Sequence, residues 1–351
     1  YEIDHCLVGS DMCIRDSGTG GLVSVGTVTA QLLYEINSPA YMNPDVIAHF
    51  DTLKMEQEGE DRVLISGCRG SSAPKTHKVC VNLEGGFRNG TEILLTGMDI
   101  EEKAKLVTDL IFENVGGKDQ FDHVDIQLIR TDHENPVSNE GAQASLRISV
   151  MSQNPDLVGR LFSAKIVELG LATIPGYTGR SGMPAGPYIQ YWPALIDSKF
   201  ITEMVHIDGK SIEVTPTSQL DYEEIYYQKE PYQNEMPDVD KLITTKFGNL
   251  YGTRSGDKGG CANLGVWAKN QETYAYLFEF LTVEKLKELL PDLRNFEIDR
   301  YDLPNIFSLN FYVHDILQEG VSSSTRLDGQ AKSLGEYLRA KDVEVPDFLI
   351  N

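Results

Sequence analysis

The strongest constraint on the fold is a change of hydrophobic period that happens twice in the same order. Apolar residues first alternate, as in half-buried strands, then recur every three to four positions, as on one face of a helix. In the first block Lys78 to Leu83 alternates, Glu84 to Asn89 supplies turn residues, and Thr91 to Leu95 returns as a second strand. Asp99 caps a helix over about Ile100 to Asn114, with Glu101 and Glu102 in the first turn and Gly116-Gly117 ending it. Val124 to Arg130 and Ser145 to Ser152 read as strands, and Pro155 to Leu169 as a helix capped by Asn154 and stopped by Gly170. The second block repeats this order. Lys241 to Tyr251 and Ala262 to Ala268 form a strand pair around a Gly-rich loop, and Thr273 to Leu290 is helical. Phe296 to Tyr301 and Ile306 to Val313 are strands, and Leu327 to Ala340 is a helix. Both blocks read ββαββα, which predicts an α/β to α+β chain of two layered units, each a largely antiparallel sheet with helices on one face.

The flanking stretches set the boundaries. Val28 to Glu35 predicts a short helix, Asn43-Pro44 a turn, Arg62 to Ser66 a strand, and Gly67 to Pro74 a loop. Thr173 to Pro193 reads as a long ordered loop, because it carries Tyr177, Tyr188, Tyr191 and Trp192. Two short strands come next, near Lys199 to Val214. Residues 221–240 are acidic, Tyr-rich and without period, so they read as a linker between a domain at 18–220 and one at 241–351. Residues 1–17 share no periodicity with the chain beyond Ser17. The run Asp11 to Ser17 looks like translated adaptor sequence, foreign to the fold, with a real strand and loop as the alternative. The first residue is Tyr and not Met, so a preceding segment is expected.

Composition excludes some partners. A chain of 351 residues with 53 acidic and 31 basic side chains carries a formal charge of −22, which repels nucleic acid and anionic membranes. Five cysteines without paired spacing suggest neither a disulfide framework nor a metal site and fit a reducing, cytoplasmic compartment. No stretch approaches the roughly 18 uninterrupted apolar residues of a membrane helix.

The densest polar cluster is Thr253 to Asn263. Its glycines Gly256, Gly259 and Gly260 permit sharp turning and close approach, and Arg254 and Lys258 bring positive charge into an acidic chain. With Ser255 and Asn263 they could hold a phosphate, a carboxylate or a thioester oxygen, with Asp257 moving a proton. The alternative is a hairpin whose glycines serve backbone geometry and whose charges face water. Gly176 to Gly182, with Arg180, could form an anion nest or a packed surface loop. Thr19, Gly20 and Gly21 lead into a helix and could present backbone amides to an anion, although the spacing fails both the dinucleotide and the P-loop patterns. His133, between Asp132 and Glu134, is a candidate acid or base, or else an exposed loop residue. No H-E-x-x-H, G-x-S-x-G or paired C-x-x-C pattern occurs, and the sequence names no cofactor.

These residues carry a family resemblance. The strings Thr19-Gly20-Gly21-Leu22-Val23-Ser24-Val25-Gly26-Thr27-Val28-Thr29, Gln31-Leu32-Leu33-Tyr34-Glu35-Ile36 and Pro44-Asp45-Val46 resemble the acyclic terpene utilisation (AtuA-like) family. So do Arg254 to Gly260 with Ala262-Asn263, Arg300-Tyr301-Asp302-Leu303-Pro304-Asn305, Leu309-Asn310-Phe311, and Gln330-Ala331-Lys332-Ser333-Leu334-Gly335-Glu336. The resemblance implies that the first domain lacks a large N-terminal part and that the second is a small ferredoxin-like domain. It further implies catabolism of branched acyl-CoA thioesters, in a pathway that includes a biotin-dependent carboxylase. The partners this admits are an acyl-CoA or small organic acid, an acyl-CoA carboxylase, and further copies of the chain. Two readings stand: an enzyme acting on a branched acyl-CoA or related acid, and a non-catalytic partner organising such an enzyme. The family's variation at Cys261 weakens a thiol mechanism there.

Overall fold

The computed structural model describes residues 20–180, 184–214 and 241–350. These fall into two compact units: one runs from Asn82 to Gln190, and the other is built from the chain before and after it. The segments expected as foreign and as a linker, 1–17 and 221–240, lie outside the described residues. No described helix is long and apolar enough to cross a membrane.

The chain enters through helix α1 (Val25–Leu32). Ser24 accepts from the Thr27 backbone N–H and Thr27 accepts from that of Ser24, a reciprocal cap that starts the helix before Val28. It stops at Leu32, and Glu35 lies at φ +56°, in the left-handed region that a non-glycine residue occupies only at some cost. Ala40–Met42 and Ile47–His49 pair around the Asn43-Pro44 turn. Arg69–Ser71 joins them as a third strand, so the expected 67–74 loop is partly sheet. Lys54–Gly59 pairs with Arg62–Ser66.

In the middle unit the expected strand–turn–strand at 78–95 is one strand, β1 (Thr76–Thr96), so the predicted ββαββα layout does not hold there. The Gly85-Gly86 pair that reads as a turn meets a different need. A Cβ on Gly85 would sit 2.2 Å from the Tyr188 ring, so the missing side chain makes room for that aromatic. Helix α2 (Ile100–Asn114) comes next and ends at Gly116 and Gly117, both with positive φ. Then come β2 (His123–Ile129), β3 (Gln143–Ser152) and α3 (Phe162–Leu169). The predicted helix from Pro155 is interrupted at Gly159, where the backbone leaves helical angles. The expected 173–193 loop is mostly strand: β4 (Tyr177–Arg180) and β5 (Gly186–Asp197). Strand order is β5-β1-β3-β2, with β4 also on β1. Ile93, Leu95, Leu146, Ile148 and Val150 pack under Val107, Ile111 and Phe162 to form this unit's core.

The last third begins with β6 (Leu242–Lys246) and a single turn, α4 (Phe247–Leu250), where alternation predicts one strand. Phe247 and Leu250, three residues apart, both bury, which alternation would prevent. Strands β7 (Gly252–Lys258) and β8 (Cys261–Trp267) then form a tight hairpin closed by Gly259-Gly260, with Gly259 at φ +67°. The expected Gly-rich loop is therefore mostly strand. One predicted helix is two, α5 (Gln271–Phe280) and α6 (Val283–Leu289), because Thr282 caps the second. After β9 (Ile298–Leu303) and β10 (Ser308–Val313), helix α7 (Leu334–Arg339) is shorter than predicted, since Asp328 takes the Lys332 and Ser333 amides in a turn. Strand β11 (Asp342–Pro346) returns to pair with β6. The main sheet runs β7-β8-β10-β9, all antiparallel.

This sheet is covered on both faces. Ala262, Leu264, Val266, Leu309, Phe311 and Val313 pack toward the helices, each fully buried, and each large aliphatic or aromatic one among them contributes about 1.5 to 3 kcal/mol. The alternate residues meet the early segment, where Leu33, Ile36 and Leu53 pack with Leu303, Ile306 and Trp267. Two glycines permit that contact. A Cβ on Gly265 would lie 2.5 Å from that of Leu33, and one on Gly256 would lie 2.8 Å from the Tyr34 ring. Polar groups seal the seam: Asn263 accepts from the Glu35 N–H at 2.8 Å and donates to the Leu33 carbonyl and to Asn310, which donates to the Asn37 carbonyl at 2.9 Å.

Candidate functional site

The alternation of β7 sorts the predicted ligand-binding residues. Ser255 is buried and accepts from the Gly335 N–H at 2.9 Å, tying the strand to α7. Gly256 and Asn263 belong to the seam with residues 33–35. At the turn, the space beside Gly259 is taken by the Tyr191 ring, and that beside Gly260 by the Gln318 carbonyl. The glycines admit the protein's own atoms. Gly259 and Gly260 close the hairpin, and the charged side chains Arg254, Asp257 and Lys258 lie along its edge strand.

Those charges gather around two tyrosines. The Arg254 guanidinium lies 4.3 Å from the centre of the Tyr34 ring, and the Lys332 ammonium lies 4.4 Å from it. Lys332 also donates to the Tyr34 hydroxyl and, at 2.6 Å, to Glu35, with Asp257 at 3.6 Å on the same ammonium. Burial works to raise the Glu35 pKa, but the bonds from Lys332 and Tyr34 outweigh it and hold this carboxyl below its ordinary value. For Lys332 burial pulls the other way, and Glu35 and Tyr34 keep the ammonium above the ordinary lysine range.

Beyond this cluster, the Lys258 and Lys78 ammonium groups lie 5.6 and 5.4 Å from the centre of the Tyr41 ring, which stacks on Phe50 at 5.3 Å. Burial lowers the pKa of both lysines; the charge of Lys258 lowers that of Lys78 further, while the charges of Glu35 and Asp257 act against burial at Lys258 without cancelling it. Lys78 donates to the Met42 carbonyl at 2.9 Å. Among the described residues no carboxylate forms an ion pair with either lysine within 4 Å. A cavity of about 90 Å³ opens beside Lys78, lined by Met42, Pro44, Pro74, Thr76, His77 and Leu195. Two ammonium groups held together and partly out of water attract an anion strongly.

The other predicted site residues lie apart from this cluster in the chain or have partners of their own. Thr19 is outside the described residues. Gly20 and Gly21 are exposed ahead of α1, and the next amides are taken by protein acceptors: Val23 by Asp61 at 2.7 Å and Val25 by Gln57 at 3.1 Å. His133 and Arg180 belong to the middle unit. His133 lies beside an Asp132 already bound bidentately by Arg130, and Arg180 extends from β4 with Glu92 at 3.7 Å. Sequence reasoning missed Tyr34, Glu35, Tyr41, Lys78 and Lys332 as site residues. None sits in a polar cluster of its own, and the only signal was that four of them fall in or near the strings that carry the family resemblance.

Comparison with known proteins agrees with that resemblance. The model of the acyclic terpene utilisation family protein AtuA matches residues 7–207, a span that begins within the first seventeen residues. The model of the AtuA ferredoxin-like domain matches residues 245–344, which hold the β7-β8-β10-β9 sheet. No curated protein and no solved structure matches the chain. With more than half its length inside the first of these models and most of its last third inside the second, the chain belongs to the AtuA family of acyclic terpene utilisation proteins.

Proposed function

We propose that this protein binds an anionic acyl compound, an acyl-CoA or a related branched carboxylate, with Lys258 and Lys78 at Tyr41 holding the anion and Arg254, at Tyr34 further along β7, meeting another part of it. The observation that carries the reading is the pair of lysines around Tyr41: both have lowered pKa values, and among the described residues neither has a carboxylate within 4 Å, Glu35 and Asp257 acting on Lys258 only from further away. Holding like charges close costs stability unless a counter-ion arrives, and an incoming phosphate or carboxylate relieves it. Calorimetric titration with geranyl-CoA and with free CoA tests this. Binding is expected for the native chain and should weaken about tenfold or more in each of Lys258→Ala, Lys78→Ala and Arg254→Ala, the scale of one charge-assisted hydrogen bond. Equal affinity in all four proteins would remove the proposal.

A second reading, a non-catalytic partner that organises an acyl-CoA enzyme such as a biotin-dependent carboxylase, draws on a different surface. The hairpin of Glu203–Ile207 with Lys210–Val214 places Val205, Ile207, Ile212 and Val214 on one face by its register, and all four are exposed. Loss of carboxylase co-elution in Ile207→Lys with Ile212→Lys, without loss of CoA binding, would favour this second reading.

A further inference from the structure

Lys332, Glu35, Asp257 and Tyr34 are brought together by backbone that the sequence does not favour. Glu35 sits at φ +56°, and the residue before Lys332, Ala331, at φ +51°. Non-glycine residues persist there only when their surroundings over-determine them, and here the surroundings are visible. The buried Asn263 holds the Glu35 amide, Asp328 holds the Lys332 amide, and Gly256 leaves the space that Tyr34 and Glu35 occupy. The result is one ammonium between two carboxylates held unequally: Glu35 at 2.6 Å and Asp257 at 3.6 Å. Tyr34 and Glu35 each accept one ammonium hydrogen, and Asp257 stands too far away to accept another, so Lys332 keeps a hydrogen to donate.

We propose that Lys332 and Asp257 form a proton-transfer centre that exchanges hydrogen on the carbon next to the carbonyl of a thioester or carboxylate. The inference rests on the anion-binding reading, in which Lys258, whose charge acts on Glu35 and is acted on by both Glu35 and Asp257, holds the charged end of the same molecule. In the step, the C–H bond breaks and the proton goes to the Asp257 carboxylate. The bonding pair forms the carbon–carbon double bond of an enolate, and the carbonyl pair moves onto oxygen, facing the Lys332 ammonium. Reversal returns a proton from Asp257 to the same carbon, so no oxidant, reductant or co-reactant is consumed. Glu35 is a positioning residue, whose charge keeps Lys332 protonated and aimed.

The test needs no knowledge of the full reaction. The chain is incubated in D2O with isovaleryl-CoA and, separately, with the N-acetylcysteamine thioester of isovaleric acid, and loss of the α-CH2 signal is followed by proton NMR. Exchange is expected at least about 100-fold above the buffer rate, falling by a similar factor in Asp257→Asn, the usual scale for one acid–base group. Asp257→Glu, which keeps a carboxylate, should retain measurable exchange, and circular dichroism identifies a variant that has failed to fold. Glu35→Gln should shift the alkaline limb of the pH–rate profile to lower pH, since Lys332 loses the partner that raises its pKa; a purely structural role would not move it. Exchange at the buffer rate with both thioesters, or an unshifted limb in Glu35→Gln, overturns the inference. Calorimetry with CoA decides the binding reading separately, because the N-acetylcysteamine thioester has no phosphates for Lys258 to hold.

Discussion

Replacing Asn263 with Ala removes the centre of the seam, and the cost comes from the groups it leaves behind. Its carboxamide oxygen accepts from the Glu35 N–H at 2.8 Å, and its NH2 donates to the Leu33 carbonyl and, at 3.0 Å, to Asn310. Asn263, Asn310 and Leu33 are all fully buried, so water cannot replace these bonds without opening the layer. A buried polar group left without a partner costs about 1 to 3 kcal/mol. Three groups are orphaned, and partial relaxation of Asn310 reduces the sum, so the expected loss is about 3 to 5 kcal/mol, a large share of the roughly 5 to 15 kcal/mol that holds a typical domain. Urea denaturation followed by tryptophan fluorescence measures it. The chain has two tryptophans: Trp192 is 60% exposed, and Trp267 packs against the seam, so the Trp267 signal reports this layer. Asn249→Ala, which removes a bond to Thr245 at a surface position, serves as the comparison and should cost well under 1 kcal/mol. An Asn263→Ala loss below about 1 kcal/mol, or one equal to that of Asn249→Ala, would refute the account of the seam as the polar tie between the early segment and the sheet.

Lys258 and Lys78 have folded-state pKa values below the ordinary 10.5, so the unfolded chain binds more protons in the alkaline window up to that value, and stability should rise with pH through it. Below that window both charges oppose folding, so Lys258→Met should be neutral to stabilising at pH 7 and should flatten the alkaline rise; a destabilised variant with an unchanged rise would contradict this. In the middle unit, Gly85→Ala places a methyl group 2.2 Å from the ring of the buried Tyr188 and should cost about 1 to 3 kcal/mol in thermal melts, a cost that should largely vanish when the same change is made in a Tyr188→Ala background; an equal cost in both backgrounds would count against the steric explanation.

The periodic elements were legible because periodicity is a local property. Strands β2, β3, β8, β9 and β10 and helix α2 lie within a few residues of where alternation and helical spacing predict them. The glycines misled for one reason throughout. A sequence shows that Gly85-Gly86 and Gly256 to Gly260 lack side chains, but not whether a turn, a ligand or a distant residue uses the space. At Gly85 it is Tyr188, and at Gly256 it is Tyr34, more than 200 positions away. The candidate site was half legible on the same grounds. Arg254, Asp257 and Lys258 advertise themselves as a charged run on one strand. Glu35 and Lys332 do so only when the fold brings them within 2.6 Å, because ordinary surface residues of the same types outnumber them.

The seam also has a consequence in time. Residues 33–37 complete their hydrogen bonds only with Asn263 and Asn310, 228 and 273 positions later in the chain. At about 5 to 20 residues per second of synthesis, the early segment waits roughly 10 to 45 s after it is made before the first of these partners exists. Leu33 and Ile36 spend that interval with only the early part of their cluster, Leu53, Tyr41 and Phe50 among it, and without Trp267, Leu303 and Ile306, so this segment is exposed to a chaperone that binds nascent chains for longer than one with local partners.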